Sequence, residues 1–82
     1  MNAHAHPIEE TGLLRISGGI HSEEQALALK AALEDLPGVR GTETTGSGVY
    51  LRFDPELASP PQFYEAVALA GSRASYFALE GV

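Results

Sequence analysis

Three histidines and a pair of adjacent glutamates are the residues here whose types could do chemistry. His21 precedes Ser22-Glu23-Glu24-Gln25, and His4 and His6 lie near the N-terminus. An imidazole with a carboxylate suits borderline ions such as Zn(II), Ni(II) or Cu(II) better than Cu(I). His21 with Glu24 or Glu23 is therefore the candidate metal pair. Two ligands make a weak site, so help must come from elsewhere. The chain has no cysteine, which removes thiolate ligands and disulfides alike.

The N-terminal histidines are poorly placed to help within one molecule. The first predicted strand spans about 20 Å at roughly 3.3 Å per residue, putting its start that far from the loop. The five residues from His6 to Thr11 reach at most about 17 Å. His4 only just arrives, so a three-histidine site within one molecule is not expected, and His4 and His6 are candidate ligands between two molecules. His4 would become the third residue, a position that chelates Cu(II) or Ni(II) with the terminal amine, if Met1 were removed. Asn2 is large enough that Met1 should stay, so residues 1–11 read as a flexible, solvated tail.

Catalysis finds little support. Ser22 lacks a placed base, since its neighbour His21 points elsewhere, and Asp54 with Glu56 reads as a strand-end turn. The expectation is a non-enzyme. A net charge of −6 with scattered Lys30, Arg15, Arg40, Arg52 and Arg73 argues against nucleic acid. No apolar run approaches the roughly 18 residues of a membrane span. The acidic, histidine-bearing N-terminus is unlike a signal peptide, so a cytoplasmic protein is expected.

The elements that must position His21 follow from periodicity. Gly12–Ser17 reads as a strand with Leu14 and Ile16 on one face and Leu13 and Arg15 on the other. Gly18-Gly19 breaks it. Ser22 opens a helix to about Leu36, with Ala26, Leu29, Leu33 and Leu36 as its buried stripe. Ser22 and Gln25 form a capping-box pattern in which Gln25 reaches back to the Ser22 amide, and Glu23 and Glu24 favour the helix dipole. Pro37-Gly38 stops the helix.

Val39–Thr44 reads as a polar strand with Thr42 and Thr44 on the Val39 face. Gly46-Ser47-Gly48 turns the chain into Val49–Phe53, with Val49, Leu51 and Phe53 inward and Tyr50 and Arg52 outward. Ser59-Pro60-Pro61-Gln62 starts a second capped helix with Phe63, Val67 and Ala70 buried and Gly71 ending it. Ser75–Leu79 closes as a strand of unassigned faces. The order βαββαβ with split crossovers predicts an α+β, ferredoxin-like sandwich over residues 12–82, one domain with a four-stranded antiparallel sheet and both helices on one face.

So assembled, the chain resembles the heavy-metal-associated domain family of copper chaperones, mercury-binding proteins and metal-ATPase N-terminal domains. Leu33-Glu34-Asp35-Leu36-Pro37-Gly38-Val39 is similar to that family's helix exit and Phe53-Asp54-Pro55 to its third-strand ending. The spacing from Asp54 through Phe63 and Val67 to Ala70-Gly71 matches without a gap, and the likeness covers roughly residues 13–79. The resemblance implies metal handling through a G-M-x-C-x-x-C loop that binds Cu(I), Zn(II) or Hg(II). Counting back from Pro-Gly-Val puts Gly19 on the glycine, Ile20 on the methionine, and Ser22 and Gln25 on the cysteines. Counting from the first strand puts His21 and Glu24 there instead; the helix register needs no insertion inside a helix and is preferred. Either way both thiolates are replaced.

Two function classes remain. One is weak borderline-metal binding near His21; the other is a metal-free module for a protein partner or homodimer. For the second, Arg15, Tyr50 and Arg52 should share the open sheet face. Leu27 and Leu69 lie off the buried stripes. The family docks on target domains through the loop and first helix, which here present acidic Glu23, Glu24 and Glu34 to a basic partner.

Overall fold

The computed structural model describes residues 8–80. Its elements are β1 (Glu10–Ile16), α1 (Glu23–Glu34), β2 (Val39–Thr44), β3 (Gly48–Phe53), α2 (Pro60–Leu69) and β4 (Ala74–Leu79). The strands form one antiparallel sheet in the order β2-β3-β1-β4. This is the expected sandwich. β1 begins two residues earlier than the alternation predicts, because Glu10 and Thr11 pair with Phe53 and Arg52 of β3. These two residues, assigned by sequence to the tail, are therefore strand. α1 ends at Glu34 rather than Leu36; Pro37 disfavours helical geometry at Leu36, and Gly38 supplies a φ of +92° for the exit.

One face of the sheet carries the core. Leu14, Ile16, Val49, Leu51 and Phe53 are buried against Leu29 and Leu33 of α1 and Phe63, Ala66 and Val67 of α2. Ala26 and Leu36 are only half-buried at the ends of the α1 stripe. β4 resolves the faces left unassigned. Phe77 turns inward and completes an edge-to-face triad, with ring centroids 5.6 Å from Phe53 and 5.2 Å from Phe63, while Phe53 and Phe63 lie 5.1 Å apart. The Phe77 ring fills the space over Gly12, where the Cβ of any other residue would collide with it.

β2 keeps Val39, Thr42 and Thr44 on one face only through an extra residue. Val39 faces Phe53, Gly41 faces Arg52, and Thr42 faces Leu51. The bulge at Arg40 shifts the alternation by one, which strict periodicity would not allow.

α1 is tied to β2 by a polar cluster. Lys30 Nζ donates to Glu34 at 3.0 Å and to the Thr42 carbonyl at 3.2 Å, and the Thr42 hydroxyl donates to Glu34 at 2.7 Å. The Thr42 hydroxyl first, and Lys30 second, hold the Glu34 carboxyl below its ordinary 4.5. A lowered folded pKa contributes stability that is present above the unfolded value and lost as pH falls through the folded one. The expected result is that Glu34→Gln is less stable than the native chain at neutral pH. That difference closes on acidification below about 4.5, as read by urea unfolding at a series of pH values.

Candidate functional site

The loop between β1 and α1 is held by its backbone first. Gly18 and Gly19 both have φ of +79°, which other residues rarely adopt. The Gly19 amide donates to Ile16 at 2.9 Å and the Ile20 amide to Gly46 at 3.0 Å, fastening the loop to the β2–β3 turn. A Cβ on Gly19 would lie 2.9 Å from the Gly46 carbonyl, so the approach needs glycine. Ile20 packs against the core, as its place on the methionine position implies.

Ser22 caps α1 as predicted, its Oγ accepting from the Gln25 amide at 3.0 Å. The other half of the box differs. Gln25 Oε1 accepts from the His21 amide at 2.9 Å, one residue before the expected Ser22 partner. The physical reason lies at the other end of the same side chain. Gln25 Nε2 donates to the Gly19 carbonyl and to Ser72 Oγ, each at 3.2 Å, and this draws the amide toward the loop and the exit of α2. Ser72 is the residue that sequence reasoning missed. It stands 47 positions along the chain, and no local pattern marks it.

His21 is exposed, and its Nε2 bonds to the Gly18 carbonyl. A carbonyl only accepts, so Nε2 is the donor in this bond. His21 lines a shallow depression of about 460 Å³ with Ser17, Gly18, Gln25, Ser72 and Arg73. Glu24 lines an adjoining one of about 370 Å³ with Ser22 and Ala28, and the two share Gln25, Gly71 and Ser72. The structure thus places the candidate pair on neighbouring depressions of one surface. Glu23 is exposed in the first turn of α1. His4 and His6 lie outside the described residues. Among the described residues no group of three or more His, Cys, Asp or Glu side chains is arranged to hold a metal ion.

The positions matched to the family's cysteines do not fit a soft ion. Ser22 and Gln25 offer oxygen and amide groups already engaged in the cap, and neither is a ligand for Cu(I) or Hg(II).

The proposed interaction residues fall on two surfaces. Arg15, Tyr50 and Arg52 share the open sheet face, whereas Glu23 belongs to the helix layer. On the open face, Tyr50 and Arg52 line a groove of about 520 Å³ with Glu43 and Glu80. The Arg52 guanidinium lies over Gly41 and pairs with Glu9 at 3.3 Å. Arg15 sits 6.0 Å over the Tyr76 ring. Leu27 and Leu69 are exposed, at 58% and 82%. Asp54 behaves as a turn residue, its Oδ1 accepting from the Glu56 amide at 2.9 Å and its carboxylate pairing with Arg40.

No protein-family model matches the chain, and no curated protein matches it. Solved structures do. The copper binding domain of HMA7, a P-type ATPase, is similar at 21% identity and a TM-score of 0.75, over 89% of this chain and 97% of that one. Oxidized MerP from Ralstonia metallidurans CH34 is similar at 22% identity and 0.74, over 90% and 100%. The N-terminal soluble domains of Bacillus subtilis CopA are similar at 15% identity and 0.71, over 84% and 48%. At such identities the likeness establishes fold. The chain is folded as the heavy-metal-associated domains are, with a hydrogen-bonded helix cap in the loop and no cysteine anywhere in its sequence.

Proposed function

We propose that this is a cytosolic metal-handling domain whose thiolate site is gone and whose loop binds a borderline divalent ion, Zn(II), Ni(II) or Cu(II), weakly through His21 and Glu24. The observation that carries the reading is the His21 hydrogen bond to the Gly18 carbonyl. Metal-ligating histidines commonly donate one ring N–H to a carbonyl, which fixes the ring and leaves the other nitrogen to bind. In this reading Nδ1 is the ligand atom and Glu24, which lines the adjoining depression, supplies the carboxylate. Water completes the coordination, or His4 and His6 of a second molecule do. The role is binding or transfer of an ion, not catalysis.

Calorimetry with the three ions tests this. Saturable binding at micromolar to sub-millimolar strength is expected, weakened about tenfold or more by His21→Ala, the usual size of losing one ligand interaction. No saturable heat with any of the three would sink the reading.

A second reading is favoured by the exposed Leu27 and Leu69 on the two helices and by the Tyr50–Arg52 groove. It is a metal-free module that docks on a protein partner. The acidic Glu23, Glu24 and Glu34 would favour a basic surface on that partner.

A further inference from the structure

The sheet has two edges, and they are treated differently. The β2 edge is guarded. It carries the bulge at Arg40, the charged Arg40 and Glu43, and a carbonyl at Thr42 already occupied by Lys30. Bulges and charges of this kind are how edge strands avoid pairing with other chains. The β4 edge carries no charge, and its one bulge, at Ser75, lies at the start of the strand. Ala-Ser-Tyr-Phe-Ala-Leu contains no charge, proline or glycine, its register with β1 is regular from Tyr76 to Leu79, and Tyr76 and Leu79 are half-exposed. Among the described residues no strand pairs with its outer side. The Glu80 amide donates inward to Thr11 at 2.8 Å. By alternation, the N–H and C=O groups of Leu79 and Phe77 point outward.

Charge at the two ends of β4 selects the occupant. Arg73 precedes the strand and Glu80 follows it. A second β4 laid antiparallel brings each Arg73 beside Glu80 of the partner subunit, twice by symmetry. A parallel one would place like charges together. We propose that the outer edge of β4 pairs antiparallel with β4 of a second copy of this chain, forming a two-fold dimer with one continuous sheet. The uncharged strand meets no repulsion along its length, and the symmetric, self-complementary contact closes on itself rather than propagating.

Sedimentation equilibrium of the full chain over about 10 μM to 1 mM suits the weak class to which a single-strand interface belongs. The expected result is a concentration-dependent rise from monomer to dimer mass. Arg73→Glu and Glu80→Arg should each weaken dimerisation about tenfold, and the two together should restore it. Both side chains are exposed, and unchanged circular dichroism confirms that the variants fold. Ala78→Lys, on the open face of the same strand, should block pairing independently. A native chain that stays monomeric throughout, or a dimer indifferent to these changes, overturns the proposal.

Discussion

Replacing Ser22 and Gln25 together by cysteine is expected to convert the loop into a soft-metal site. Zn(II), Cu(I) or Hg(II) should bind the Ser22→Cys/Gln25→Cys chain about a thousandfold more tightly than the native one, as measured by competition with a chromophoric chelator. The geometry makes the double change specific. Ser22 is the N-cap of α1 and Gln25 sits three residues on, so both side chains lie at the N-terminal end of the helix, where Ser22 Oγ accepts from the Gln25 backbone amide at 3.0 Å. The positive end of the helix lowers the pKa of thiols placed there and favours the thiolates that bind metal. The same substitutions remove the cap and the Gln25 bonds to His21, Gly19 and Ser72, which should cost the metal-free variant about 2–3 kcal/mol. Metal should return that stability, because it binds only the folded loop. A double variant that binds soft ions no better than the native chain would reject the register in which Ser22 and Gln25 occupy the cysteine positions. His21→Cys/Glu24→Cys would then be the pair that gains affinity.

Phe63→Ala should bring the domain close to unfolding at ambient temperature. Phe63 is fully buried and contacts both Phe53 and Phe77 edge-on, so it joins α2 to two strands at once. Truncating a buried phenylalanine costs about 3–5 kcal/mol in transfer and cavity terms. A chain of this size has about 5–10 kcal/mol in total. The melting temperature should fall by about 15–30 °C, read by circular dichroism. Leu69→Ala, at an 82% exposed position one helix turn and a half away, should move it by no more than a few degrees. Equal effects from the two would mean that the aromatic triad is not the keystone of the core.

The candidate site was legible in its parts but not in its connections. The cap at Ser22 and the break at Gly18-Gly19 were signalled by local pattern, since each depends on neighbours within a few residues, while the inward place of the half-buried Ile20 was implied by the family resemblance. The partner of Gln25 was misplaced by one residue. A glutamine amide has several acceptors and donors within reach, and the choice among them fell to Ser72 on the far side of the fold. The same holds on the open face. Arg15, Tyr50 and Arg52 share the face on which sequence grouped them, but their partners come from elsewhere: the register of β4 gives Arg15 to Tyr76, and Arg52 pairs with Glu9.

The amino-acid sequence by itself determined the order and kind of the elements, the buried faces of β1, β3 and both helices, and the absence of any thiolate ligand. Those follow from periodicity, capping residues and composition, which are properties of short stretches or of the whole inventory. Tertiary structure alone decided that Phe77 fills the space over Gly12 and that a bulge at Arg40 keeps Thr42 and Thr44 on the core face. It also decided that His21 turns back on the Gly18 carbonyl and that β4 is an outer strand of the sheet. Each of these depends on which strand lies beside which and on the space between them. Local propensities do not encode such placements; packing and the pairing of otherwise unsatisfied polar groups select them when the layers close.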